Sequence, residues 1–327
     1  MKAFLNLIRW PNLLIVALTM ILMRYAVIAP VISKINVELI NVPGGETPLS
    51  LQFPWYYFLI LVLATLCITA GGYVINDYFD IKTDLINKGE VIVSTKISRR
   101  QAMMWHNVLN IAGVAAGFFI SWKAGYFWMG ILFLIVSGLL YFYSASYKRQ
   151  FLIGNFVVAL LTAMVPMLVV IFEWPALYRY YAVNAVTLPQ LSIMFYWVGG
   201  FAIFAFMTTL TREIIKDIED FEGDMAYGRN TIPVVTGTLT ARIISISLIL
   251  ITIGLLYIVW YFFLNDKITL IYISCAIVLP LLYVVYQLII SANKKQLHNA
   301  SRLMKIVMIA GVLYSVVVKV ILDQNLV

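Results

Sequence analysis

Long apolar runs alternate with short polar connectors along almost the entire chain. Runs of roughly 20 residues, the length an α-helix needs to cross a hydrocarbon core, lie at 10–33, 53–75, 102–122, 125–145, 151–172, 192–211, 237–264, 268–291 and 303–322. The pattern predicts an all-α polytopic membrane protein with nine transmembrane helices. The first run is interrupted by Arg24 and the third carries Asn107 and Asn110. Lys2 and Arg9 precede the first run as in a signal peptide, but the run continues past Arg24 to Val31 without a small-residue cleavage site. It is therefore read as the first span.

Composition agrees. Apolar residues make up 63% and charged residues 12% of 327, and the mean hydropathy is +0.94, leaving too little charge to coat a soluble globule. Cys67 and Cys275 both fall inside apolar runs, where a thiol packs as a small hydrophobe; neither a disulfide framework nor a thiolate metal site is expected. An N-inside arrangement places 17 of the 23 Lys and Arg residues on the inner side, with only Lys34, Lys123, Arg179 and Lys267 outside and Arg24 and Lys319 within spans. Cytoplasmic loops collect basic residues, so the loop around Lys96 is expected inside and the stretch Pro43-Gly44-Gly45 outside. The expected location is a prokaryotic cytoplasmic membrane. The basic balance then reflects membrane topology and anionic lipid, not nucleic acid.

Acidic residues are distributed unevenly. Nine of fifteen Asp and Glu lie in two stretches, Asp77, Asp80 and Asp84 in "NDYFDIKTD" and Glu213, Asp217, Glu219, Asp220, Glu222 and Asp224 in "REIIKDIEDFEGD". Each stretch follows an apolar run on the inner side. Asp77, Asp80 and Asp84 share their spacing with Asp217, Asp220 and Asp224, so the chain is expected to hold two pseudo-repeated, aspartate-bearing halves. On a continuous helix that spacing sets all three carboxylates of a set on one face. Clustered carboxylates repel beside low-dielectric walls, so a cation must lie between them. With no His or Cys nearby the ligands are hard oxygens, which suit Mg²⁺ bridged to a phosphate or diphosphate. Lys82, Lys88, Arg212, Lys216 and Arg229 stand close in sequence to neutralise it further.

At this point the sequence resembles a known family. Asn76-Asp77-Tyr78-Phe79-Asp80-Ile81-Lys82-Thr83-Asp84 is similar to the NDxxDxxxD motif of UbiA-type intramembrane prenyltransferases, and Asp220-Phe221-Glu222-Gly223-Asp224 to their second motif, DxxxD, extended here by Asp217. Arg9-Trp10-Pro11-Asn12 and the segment Tyr143 to Arg149 resemble the family's first-helix start and fourth-helix end. The second motif looks most like the branch that makes digeranylgeranylglyceryl phosphate. After the first motif the chain departs from the family, reading Asn87-Lys88-Gly89-Glu90 where many members carry a Pro and Arg-Pro loop.

The resemblance implies one domain over residues 1–327, nine helices around a central cavity, and Mg²⁺-dependent transfer of a prenyl group from an allylic prenyl diphosphate to a lipophilic acceptor. Asp77, Asp80, Asp84, Asp217, Asp220 and Asp224 would hold metal, and Asp80, Asp84, Asp220, Asp224 and Lys148 would act in catalysis. Asn12, Asn76, Tyr143, Arg212, Lys216 and Arg229 would bind substrate. Tyr73, Tyr78, Phe79, Tyr143 and Tyr147 are candidates to face an allylic cation. A prenylglycerol phosphate acceptor would draw on Lys88, Lys96, Arg99 and Arg100. Open alternatives are an aromatic quinone precursor as acceptor, a terpene cyclase, and a cation transporter with the aspartates along its path. His106 and His298 are expected at solvated helix ends. Oligomeric state is not legible.

Overall fold

The computed structural model describes residues 2–40, 45–88, 91–290 and 293–324, with residues 86–88 described by their backbone alone. Pro43 and Gly44 of the expected external stretch, Gly89 and Glu90 of the loop after the first motif, and the side chain of Lys88 lie outside the described residues. Among the described residues nine helices are long and apolar enough to span a membrane: α1 (Trp10–Ile32), α2 (Trp55–Phe79), α3 (Arg99–Lys123), α4 (Phe127–Arg149), α5 (Ile153–Asn184), α6 (Ile193–Glu219), α7 (Thr238–Leu264), α8 (Lys267–Ile290) and α9 (Lys294–Asp323).

Each expected span is present, and three overrun their apolar runs. Helix α5 continues to Asn184, α6 to Glu219, and α9 starts at Lys294. An apolar run marks only the part of a helix inside hydrocarbon, whereas Lys, Glu and Gln at its ends are good helix formers and carry it on. Local signals set several starts. Ser98 and Gln101 form a reciprocal capping box at α3, the Asp266 carboxylate accepts from Thr269 N at 2.7 Å at α8, and Pro11 occupies the first turn of α1.

The helices pack as two groups that share α5 and α6. Helix α2 lies along α3, α5 along α6, and α6 also meets α7 and α9. Small residues allow the closest approach: a Cβ on Gly113 of α3 would come within 2.6 Å of Ile68 on α2. One apolar core joins α1 to α6 through Met20, Leu61, Phe172 and Met194. A second joins α5 to α9 through Ile214, Ile249, Leu281 and Met304.

The end remote from the aspartates carries the one paired set of strands among the described residues. Strands β1 (Asn36–Glu38) and β2 (Glu46–Pro48) pair antiparallel, Asn36 opposite Pro48. Ile40 N donates to Asn184 O and Val186 N to Glu38 O, both at 2.9 Å, tying this hairpin to the extension of α5. That extension also places Glu173 inside a helix, where the sequence pattern had left it outside. Arg24 of α1 lies 3.4 Å from it, and the two are 2% and 1% exposed. The other Glu173 oxygen accepts from Gln52 N at 2.8 Å and Phe53 N at 2.9 Å. Glu173 stands about 30 Å along α5 from Ile153, so the pair staples α1, α5 and the start of α2 together at the far membrane boundary.

Candidate active site

Both aspartate motifs take the same local form, and it is not one continuous helix. Helix α2 ends at Phe79, and Asp80 leaves it at φ −92°, ψ 1° before a short helix Ile81–Lys88 begins. Helix α6 ends at Glu219, and Asp220 leaves it at φ −93°, ψ 9° before a short helix Phe221–Ala226. In each motif the middle aspartate sits at the bend. Its N–H bonds four residues back and its carbonyl accepts from the third aspartate: Asp80 N to Asn76 O at 3.1 Å and Asp84 N to Asp80 O at 2.8 Å, Asp220 N to Lys216 O at 2.8 Å and Asp224 N to Asp220 O at 3.0 Å. The bends turn the two short helices toward each other, and they are in contact.

Between them opens a cavity of about 670 Å³ lined by α1, α2, α4, α5, α6 and α9. Asn12, Asn76, Asp77, Asp80, Asp84, Tyr143, Lys148, Arg212, Lys216, Asp217, Asp220, Asp224 and Arg229 all line it. The charged groups stand at the end where the helices bend. Deeper walls are apolar, with Ile68, Phe133, Val136, Leu161, Met164 and Leu168. Leu132 and Lys148 both line the cavity and stand about 24 Å apart along α4.

Asp80 is the hub. It is 7% exposed, and its Oδ1 lies 2.8 Å from Lys148 Nζ and 2.5 Å from Arg229 Nη2. Lys148 Nζ also donates to Asn76 Oδ1 at 3.1 Å, and Arg229 reaches Thr83 Oγ1 at 2.6 Å and Asp224 Oδ1 at 3.3 Å. One guanidinium thus links the two motifs. Burial would lift the Asp80 carboxyl, but the Lys148 and Arg229 charges outweigh it and hold it below the usual carboxylate range. Asp224 is pushed up to about 6 by burial, against the pull of Arg229 and helped by the like charge of Asp220. Lys148 is positioned by a tight turn, Tyr147–Arg149, against which Gly154 packs so closely that a Cβ there would meet Lys148 Cα at 2.6 Å. Arg149 O accepts from Asn230 N at 2.9 Å, joining that turn to the Arg229 segment.

Sequence reasoning missed several lining residues. Glu213 lines the cavity and pairs with Arg212 at 2.8 Å and Lys216 at 2.9 Å; its four-residue spacing from Asp217 was the available signal. Asn155 of α5 donates to Asp217 Oδ2 at 2.7 Å, and Lys305 of α9 donates to Asn12 Oδ1 at 2.6 Å. Arg9 pairs with Asp77 at 2.8 Å and lies over the Tyr73 ring. Glu219 and Glu222 do not line the cavity, and Glu219 instead meets His298 at 2.7 Å.

Other expectations are corrected. Of the aromatic candidates Tyr73 and Tyr143 line the cavity, while Tyr78 packs under Arg99, Phe79 against Tyr141 and Tyr147 against Phe142. Lys96, Arg99 and Arg100 do not line it. His106 is buried, 7% exposed, not solvated: its Nδ1 lies 3.0 Å from Gly71 O, and Asn110 next to it accepts from Ser137 at 2.6 Å, a polar chain that joins α2, α3 and α4.

The donor set around the cavity suits a hard divalent cation, all oxygen with no His or Cys. Among the described residues no three acidic, His or Cys side chains converge closely enough to cage one. Mg²⁺ does not require such a cage, since it commonly binds through one or two carboxylates and takes its remaining oxygens from substrate phosphates and water.

Comparison with known proteins follows the geometry. Residues 49–309 match the model of the UbiA prenyltransferase family. A digeranylgeranylglyceryl phosphate synthase of Methanosphaera stadtmanae is 31% identical over 253 residues, 76% of this chain and 84% of that protein. A solved structure of a digeranylgeranylglyceryl phosphate synthase in membranes superposes with a TM-score of 0.61 over 96% of this chain and 98% of its own, at 24% identity. A UbiA homologue of Archaeoglobus fulgidus bound to GPP and Mg²⁺ shares the fold, with a TM-score of 0.52 over 96% and 99% of the two chains and 19% identity.

Proposed function

The chain belongs to the UbiA prenyltransferase family, and from that premise we propose that it moves a prenyl group from an allylic prenyl diphosphate to the hydroxyl of a phosphate-bearing prenylglycerol, with Mg²⁺ at its aspartates. The observation that carries this reading is a single cavity, charged at one end and apolar for the rest of its depth, with both aspartate motifs at the charged end. Such a space fits an amphiphile whose polar head is an anion and whose tail is a hydrocarbon. The relatives' described activity supports the acceptor class.

When bound, Mg²⁺ ions, each held by one or two carboxylates drawn from Asp80, Asp84, Asp220 and Asp224, would neutralise the diphosphate and make it a better leaving group. The chain's own cations share that task. Lys148 and Arg229 already converge near Asp80 and would donate to diphosphate oxygens as the C–O bond breaks, a charge larger in the transition state than in the ground state. Tyr143 and Tyr73, which line the cavity, would present ring faces to the positive charge left on the allyl group. The apolar walls hold the tail and keep water from capturing that carbon. The acceptor hydroxyl oxygen would then form the new C–O bond as its proton passes to the released diphosphate. Asn76 fixes the Lys148 ammonium, and Asn155 orients Asp217.

Mass spectrometry of products tests the reading, with purified protein offered a panel of prenyl diphosphates and of acceptors. A prenylated glycerol phosphate is expected. A product on an aromatic ring alone, or diphosphate release with no acceptor consumed, would overturn it.

A further inference from the structure

The cavity's charged end is not uniform. Lys148 and Arg229 pair with Asp80 and Asp224, and Asp84, Asp217 and Asp220 line the same cavity, five carboxylates beside two cations. Among a second set of charged groups the balance reverses. Arg9, Arg212, Lys216 and Lys305 line the cavity, and the ion pairs they make among the described residues are with Asp77 and Glu213, two carboxylates for four cations. Uncompensated charge beside low-dielectric walls is costly whichever its sign. The first set asks for a metal, the second for an anion.

Two observations locate that anion. Lys305 of α9 stands at the inner end of the apolar run 303–322, and its Nζ bonds the neutral Asn12 with no ion-pair partner among the described residues. A lysine whose ammonium lines the cavity and bonds Asn12 is turned inward to the site and not out to the membrane surface. Arg212, whose other end pairs with Glu213, has a buried Nε with no hydrogen-bond partner, a donor still lacking its acceptor.

We propose that Arg9, Arg212 and Lys305 form the subsite for the acceptor's phosphate, distinct from the Lys148 and Arg229 pair that would serve the departing diphosphate. A phosphomonoester carries about −1.5 to −2 charge at neutral pH, matching the local excess of two cations. The assignment rests on the phosphate-bearing acceptor proposed above. It replaces the basic loop around Lys96, Arg99 and Arg100, which does not reach the cavity. Giving the two anions different cations also keeps them from competing for one set.

The test uses the full chain in detergent with two readouts. First, binding of an alkyl phosphomonoester and of the matching alcohol is measured by titration calorimetry for the wild type, Lys305→Met and Lys305→Arg. The phosphomonoester should bind the wild type and Lys305→Arg, and roughly 10- to 100-fold more weakly to Lys305→Met, the range for losing one charge-assisted hydrogen bond; the alcohol should show no difference. Second, with a phosphate-bearing acceptor KM for the acceptor should rise by a similar factor, while KM for the prenyl diphosphate stays within about twofold. Equal phosphomonoester binding by wild type and Lys305→Met, or a loss shared equally with the alcohol, would overturn the subsite. Should Lys305→Met fail to fold, Lys305→Gln carries the same comparison. If the wild type binds the phosphomonoester with the predicted Lys305 dependence but forms no product on a phosphate-bearing acceptor, the subsite stands and the acceptor reading falls.

Discussion

Replacing Lys148 by Met removes one charge from the hub of the site while keeping most of the side chain's length. Lys148 is 6% exposed and holds Asp80 at 2.8 Å and Asn76 at 3.1 Å. The alternative role of a lysine at a helix end, snorkelling to the membrane surface, does not match that burial. Asp80 keeps Arg229 at 2.5 Å in the variant, so its carboxylate is not stranded and the fold should survive. On the proposed function, the variant would lose one donor to the diphosphate as its charge develops, worth on the order of 2–4 kcal/mol of barrier. Turnover should therefore fall roughly 30- to 1000-fold. The assay is diphosphate release at saturating prenyl diphosphate, run beside Arg149→Met. Arg149 is an exposed neighbour that contributes its backbone carbonyl to Asn230, so its substitution should cost less than about threefold, in keeping with a surface change. Small and equal losses in the two variants would refute the argument and reduce Lys148 to an anchor.

The buried Arg24 and Glu173 pair predicts a stability effect without a catalytic one. Arg24→Met leaves a 1%-exposed carboxylate without its cation and should lower stability by about 3–5 kcal/mol, while Arg24→Met with Glu173→Gln should recover much of that loss; thermal unfolding in detergent reads it, and an unchanged midpoint for the single variant would contradict it. The basic-residue asymmetry predicts that a single cysteine at Lys96 is labelled only from the cytoplasmic side and one at Glu46 only from outside; the opposite pattern would invert the topology.

The nine spans were legible because each is a long apolar run, a composition that only a helix can carry through hydrocarbon. The aspartate sets were legible because matched spacing of a costly residue is rare by accident. Their bend was not, since Asp80 and Asp220 sit in sequence that reads as continuous helix and the break at φ near −92° comes from how the two short helices meet. Asn155 and Lys305 reach the cavity from helices distant in sequence, and single polar residues carry no periodic signal. Glu173 was misplaced by the apolar-run boundary, and the burial of His106 depends on its contact with Gly71, which only tertiary packing supplies.

The central claim is that the two aspartate sets act as one metal-dependent diphosphate site. Diphosphate release by wild type, Asp80→Ala and Asp220→Ala after EDTA treatment, with Mg²⁺ then added back stepwise, tests it most directly. Wild-type activity should vanish with EDTA and return with Mg²⁺, and each variant should stay near background at every Mg²⁺ concentration while remaining folded. Near-normal turnover in either folded variant, or wild-type turnover that ignores Mg²⁺, would contradict it.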